Sequence, residues 1–80
     1  MTYPQTLVNV RVREKKDLST IPPVADAVAD VERRVAGSGR LLVRYSGTEP
    51  LLRIMIEGKD LREIQQMAGS IAAVVKKELG

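Results

Sequence analysis

The sequence contains no cysteine, histidine, tryptophan or phenylalanine. Without cysteine there is no disulfide staple and no thiolate chemistry. Without histidine, the commonest general base and nearly every zinc site are excluded. Tyr3 and Tyr45 are the two aromatic residues, so the chain lacks the platforms on which single-stranded nucleic acids stack their bases. No apolar run approaches the roughly 20 residues that cross a bilayer, and the polar opening MTYPQT does not read as a secretory signal. These absences lead us to expect a soluble protein with neither a nucleic-acid nor a membrane partner. The lack of cysteine fits a reducing, cytoplasmic setting.

The 80 residues carry a formal net charge of +3. The basic residues are interleaved with acids, as in VREKKDL and ADVERRVAG, so no single-sign stripe forms. The length allows one small domain spanning residues 1–80, with only a few kcal/mol of net stability, roughly 3–5 kcal/mol.

Periodicity assigns the elements. QTLVNVRVR alternates, with Val8, Val10 and Val12 on one face and Asn9, Arg11 and Arg13 on the other, which predicts a strand over residues 5–13. EKKDLST reads as a charged loop. IPPVADAVADVERRVAGSG reads as a helix: Pro22 and Pro23 suit its first turn, Val24, Val28, Val31 and Val35 make an apolar stripe, and Gly37 and Gly39 end it. Asp26 and Asp30 lie nearer its start and Arg33 and Arg34 nearer its end, the order its dipole favours. RLLVRY and LLRIMIE are two further strands; in the second, Leu52, Ile54 and Ile56 oppose Leu51, Arg53, Met55 and Glu57. The final helix starts on a capping-box-like Asp60 and Glu63. Its buried stripe is Ile64, Met67, Ala68, Ile71, Val75 and Leu79. The expected fold is α+β, a two-layer sandwich of a mainly antiparallel sheet with two helices on one face, in the order β-α-β-β-α.

Leu42, Arg44, Arg53 and Met55 then lie on the other sheet face. Either a further domain or a ligand covers that face, or twist buries these side chains locally. Met67 and Met55 read as core or interface filler. Asn9 is either a surface residue or a hydrogen-bonding partner across a domain boundary. Asp60 with Glu63, and Asp26 with Asp30, read as helix-end residues, not as metal ligands. No catalytic residue is assigned.

The stretch RYSGTEPLLR holds the densest chemistry. A phosphate needs donors that converge from several directions. Ser46 and Thr48 offer hydroxyls, and amides around Gly47 can form a concave nest if glycine takes a positive φ. Arg44 and Arg53 flank the loop on hairpin-paired strands, and a guanidinium matches phosphate oxygens two at a time. Pro50 fixes φ where the chain re-enters the sheet. Glu49 must point outward or pair with a neighbouring arginine if an anion is to bind. The plain alternative is a polar hairpin with two solvated arginines.

This loop, together with YPQTLVNVRV and GRLLVRYSGTEPLLRIMIEGKD, resembles the α-D-phosphohexomutases over essentially all 80 residues. The flanking strands look most like the branch that acts on glucosamine phosphates, with the mannose and glucose phosphate branches as the alternative. The resemblance implies the fourth, C-terminal domain of a four-domain isomerase that interconverts a sugar 6-phosphate and a 1-phosphate, glucosamine 6-phosphate and glucosamine 1-phosphate in the favoured branch. By family likeness Arg44, Ser46, Gly47, Thr48 and Arg53 are substrate phosphate contacts. The family's phosphoserine loop, its Mg²⁺-binding aspartates and its sugar-reading loop have no counterpart here. The chain by itself is therefore expected to hold no cofactor and to be inactive, with the phosphosugar and the other mutase domains as partners. From a different class, a small regulatory or docking module that uses the open sheet face is also consistent with the pattern.

Overall fold

A computed structural model describes residues 3–80; Met1 and Thr2, part of the polar opening, lie outside the described residues. The elements are β1 (Gln5–Arg11), a 3-10 turn (Leu18–Thr20), α1 (Pro22–Val35), β2 (Arg40–Tyr45), β3 (Leu51–Glu57) and α2 (Leu61–Leu79). The strands form one antiparallel sheet in the order β1-β3-β2. The expected α+β sandwich and its β-α-β-β-α order are both present.

Central placement of β3 follows from its composition. Leu52, Ile54 and Ile56 are all fully buried, and β-branched and leucine side chains suit a strand paired on both edges. On the helix side they meet Val10, Val24, Val31 and Val35, and the six α2 residues Ile64, Met67, Ala68, Ile71, Val75 and Leu79. With no Phe or Trp available, the core is filled by medium aliphatic side chains. Burying each contributes roughly 1.5–3 kcal/mol. Val28 is only partly buried, on the margin of the α1 stripe.

Two expected boundaries shift. β1 ends at Arg11, two residues early, because the next amides find partners outside the sheet: Val12 N–H donates to Pro50 O (2.9 Å) and Arg13 N–H to Leu79 O (2.8 Å). The second bond also satisfies a carbonyl at the C-terminal end of α2, where helices run out of internal donors. The supposed loop after β1 contains the 3-10 turn. Asp17 caps it, its carboxylate accepting from Ser19 N–H (3.0 Å) and Ser19 Oγ–H (2.8 Å). Those bonds, the side-chain one foremost, hold the Asp17 carboxyl below its ordinary value of 3.8.

The helix ends are built differently from one another. α1 has no side-chain cap; prolines occupy its first positions instead. Its acids are not at the start: Asp30 sits mid-helix, bridging Arg33 and Arg34 at 3.2 Å each. The basic half of the expected dipole arrangement is present, with Arg33 and Arg34 in the last turn, while on the acidic side Asp30 serves local i,i+3 and i,i+4 pairs. α2 uses half a capping box, with Asp60 accepting from Glu63 N–H at 3.2 Å.

After α1 the chain reverses through Gly37, whose φ of 81° is left-handed. Gly39 then passes so close to β3 that an added Cβ would lie 1.9 Å from Glu57 O. Backbone cannot yield as a side chain can. Gly39→Ala is expected to cost about 1–3 kcal/mol through overpacking, measured by urea unfolding; a variant as stable as the parent would refute the close approach. A second outcome concerns pH. Because the Asp17 carboxyl is depressed in the folded chain, its contribution is complete above 3.8 and is lost as pH falls through the lower folded value. In an NMR pH titration the Ser19 amide should therefore shift with a midpoint below 3.8; a midpoint at or above that value would contradict the cap.

Candidate functional site

Strand register decides what the loop's flanking arginines can do. Arg44 on β2 pairs directly with Arg53 on β3, and Arg53 pairs on its other side with Asn9 on β1. The rung Asn9–Arg53–Arg44 thus crosses the sheet, and all three residues are exposed. One step along, Leu7, Met55 and Leu42 form an apolar rung. Arg11, opposite Leu51, stands on the loop side of the cationic rung.

Both arginines lie on the face away from the helices. With Leu7, Leu42 and Met55 they line a shallow depression of about 270 Å³. No carboxylate pairs with Arg44 or Arg53 among the described residues; the ion pairs there join Lys16 to Glu14 and Arg33 and Arg34 to Asp30. Like charges directly opposite one another on a sheet are unfavourable. Two arginines paired across one rung, lining one depression and lacking a carboxylate partner, therefore form an anion-seeking arrangement. The apolar rung is not buried locally by twist, since Leu7 is 59% and Leu42 40% exposed. A wider hollow of about 520 Å³ lies between β1 and α2, lined by Asn9 and Arg11 as well as Gly69, Ala72, Ala73 and Lys76, but neither Arg44 nor Arg53 reaches it.

The loop joining β2 to β3 closes through Ser46 N–H donating to Leu51 O at 2.9 Å. Leu51 N–H donates back to Glu49 O at 2.8 Å, an i,i+2 bond centred on Pro50. An inverse γ-turn needs φ near −75°, which the proline ring supplies. Ser46 is the buried polar residue of the described chain, 7% exposed. Its Oγ accepts from Thr48 N–H and Glu49 N–H, both at 3.4 Å, long for such bonds and correspondingly weak. Its own hydroxyl proton is left free to donate.

One part of the loop reading needs correction. The expected nest relied on a positive φ at Gly47, and among the described glycines only Gly37 has one. The Thr48 and Glu49 amides turn inward to Ser46 Oγ, leaving the Gly47 N–H without an acceptor among the described residues. Gly47 instead contributes bareness: nothing lies within 4 Å of where its Cβ would be, so a ligand can approach the backbone. Thr48 and Glu49 are exposed, and Glu49 makes no ion pair among the described residues.

Two contacts were not foreseen from the sequence. Lys15 Nζ donates to Ser46 O, and the Tyr45 hydroxyl donates to Lys16 O. With Val12 N–H on Pro50 O, they clasp residues 12–17 to the β2–β3 loop. Partial burial, reinforced by the charges of Asp17 and Glu14, pushes the Tyr45 phenol above its ordinary value, so it remains a donor at neutral pH. These partners stand about thirty positions apart, 31 for Lys15 and Ser46, beyond the reach of local pattern. Among the described residues no group of three or more acidic side chains could hold a metal ion, and no helix is long and apolar enough to cross a membrane.

The family model described as phosphoglucomutase/phosphomannomutase, C-terminal domain, matches residues 7–74. The phosphoglucosamine mutase of Pelobacter propionicus is 58% identical over 80 residues, all of this chain and 18% of that protein. The phosphoglucosamine mutase of Geotalea daltonii is 57% identical over 77 residues, 96% of this chain and 17% of that protein. Among solved structures, Aspergillus fumigatus N-acetylphosphoglucosamine mutase in complex with GlcNAc-6P and magnesium matches with a TM-score of 0.76 and 25% identity, over 98% of this chain and 16% of its own. The chain thus spans less than a fifth of the length of these relatives. By family model, sequence and fold together, it belongs to the phosphoglucomutase/phosphomannomutase family and corresponds to the C-terminal domain.

Proposed function

We propose that the chain is the phosphate-gripping domain of a phosphohexomutase, and that the phosphate sits at the β2–β3 loop on Arg44, Ser46, Gly47, Thr48 and Arg53. The observation that carries this reading is the direct pairing of Arg44 with Arg53 on an open face, without a carboxylate beside either. Each guanidinium can bond two phosphate oxygens. The Ser46 and Thr48 hydroxyls and the Gly47 N–H add neutral donors from the loop. The closeness of the bacterial relatives supports a glucosamine phosphate as the sugar, with 6- and 1-phosphates exchanged by the whole enzyme in the cytoplasm.

The domain's part in such a reaction is positional. Phosphoryl transfer is catalysed chiefly by alignment and charge stabilisation. Holding the phosphate that does not react supplies binding energy away from the reacting oxygen, and this orients it. Magnesium, where such an enzyme uses it, helps neutralise charge on the phosphoryl group being transferred; among the described residues no cluster of acidic side chains is placed to hold it. Because the chain spans less than a fifth of the length of the mutases it resembles, it is inactive alone in this reading. The apolar rung Leu7–Met55–Leu42 beside the arginines suits cover by the other domains of the enzyme.

Titration of glucosamine 6-phosphate into the chain, followed by NMR, should shift the signals of residues 44–53, with an affinity of about millimolar, near −4 kcal/mol. No response there at high concentration would overturn the reading. Arg44→Ala should weaken binding by about 1.5–3 kcal/mol, the range of a charge-assisted bond. The same variant should melt no lower than the parent, because it relieves a like-charge pair. Undiminished affinity would refute the role of Arg44, and a clear loss of stability would mean that the pair is structural.

A further inference from the structure

Lys15 lies outside the phosphate site proposed above, yet its ammonium is fixed on that site's backbone through Ser46 O. It is not a free surface arm. Val12 N–H on Pro50 O and the Tyr45 hydroxyl on Lys16 O anchor the chain on both sides of it. Lys16, its neighbour, is the one paired with Glu14; Lys15 has no carboxylate partner among the described residues.

The consequence follows from peptide geometry. No described peptide bond is cis, and in a trans unit the C=O and the following N–H point in opposite directions. Drawing Ser46 O toward Lys15 therefore aims the Gly47 N–H the other way. That amide is the uncommitted one in the loop: Ser46 N–H is spent on Leu51 O, and the Thr48 and Glu49 N–H groups on Ser46 Oγ. A cation on the carbonyl also polarises the unit, making its N–H a stronger donor.

We infer that Lys15 is a positioning residue of the phosphate site, holding the Ser46–Gly47 peptide so that Gly47 N–H is presented to the bound anion. It acts through the peptide, not by touching the phosphate. The inference rests on the loop being the phosphate site, and the test separates the two.

Inorganic phosphate is titrated into the 80-residue chain and into Lys15→Met, Lys15→Arg and Lys15→Gln, with backbone amides and arginine Nε–H groups followed by NMR. In the parent, phosphate should move the Gly47 amide and the Arg44 and Arg53 Nε–H signals together. Lys15→Met should weaken phosphate binding about tenfold and abolish the Gly47 shift while the arginine signals still respond. Lys15→Arg should restore both. If Lys15→Met fails to fold, Lys15→Gln carries the comparison, with a reduced Gly47 shift expected because its donor is neutral. Unchanged affinity and an unchanged Gly47 shift in the folded neutral variant would overturn the inference, as would failure of Lys15→Arg to rescue. If neither Gly47 nor the arginines of the parent respond to phosphate, the reading of the loop itself falls first.

Discussion

Two positive charges facing each other across one rung of an antiparallel pair are the constraint around which the open face is organised. Arg44 and Arg53 are adjacent because β2 and β3 are joined by a short loop in a fixed register, and a shift by one residue would turn one of them toward the helices. The register in turn depends on β3 being buried along Leu52, Ile54 and Ile56, and on Gly39 letting the start of β2 press against Glu57. Core packing on one face thus dictates charge geometry on the other. The arrangement stores a modest repulsion that a bound anion would relieve, a common way for a small domain to exchange stability for affinity.

The loop between these strands is held from outside as well as from within. Its internal bonds are few: one closing bond, a γ-turn on Pro50, and two long contacts to Ser46 Oγ. Residues 12–17 supply the remainder through Lys15, Lys16 and Val12. Such a loop can keep its overall shape while the weak internal bonds give way to a ligand, because the clasp does not depend on them. Early departure of β1 from the sheet is what frees Val12 N–H for Pro50 O in the loop, and Arg13 N–H for Leu79 O at the end of α2.

Much of this was legible in the sequence. The α2 stripe, the strand faces and the placing of Arg44 and Arg53 on one open face follow from periodicities of 3.6 and 2, whereas their direct pairing is a matter of register, which periodicity does not report. The misreadings differ in cause, some in distant partners and some in local ones. Val12 and Arg13 fit a strand pattern, but their amides bond to Pro50 and Leu79, distant in sequence. Asp30 was placed by its position in the helix, yet its partners Arg33 and Arg34 decided its role. Gly47 was given a left-handed backbone because glycine permits one, whereas the inward bonds of Thr48 and Glu49 fix the turn without it. Contacts such as Lys15 to Ser46 leave no periodic trace, since each joins two irregular segments.

Tyr45 closes the clasp with its hydroxyl, while Tyr3 is solvent-exposed. Because the chain lacks tryptophan, no indole emission masks the phenols. Optical spectroscopy thus has an intrinsic probe placed at the root of the loop: over the constant background of Tyr3, changes in the ultraviolet absorbance and weak fluorescence of the half-buried Tyr45 ring register the seam between residues 12–17 and the hairpin, with no label attached.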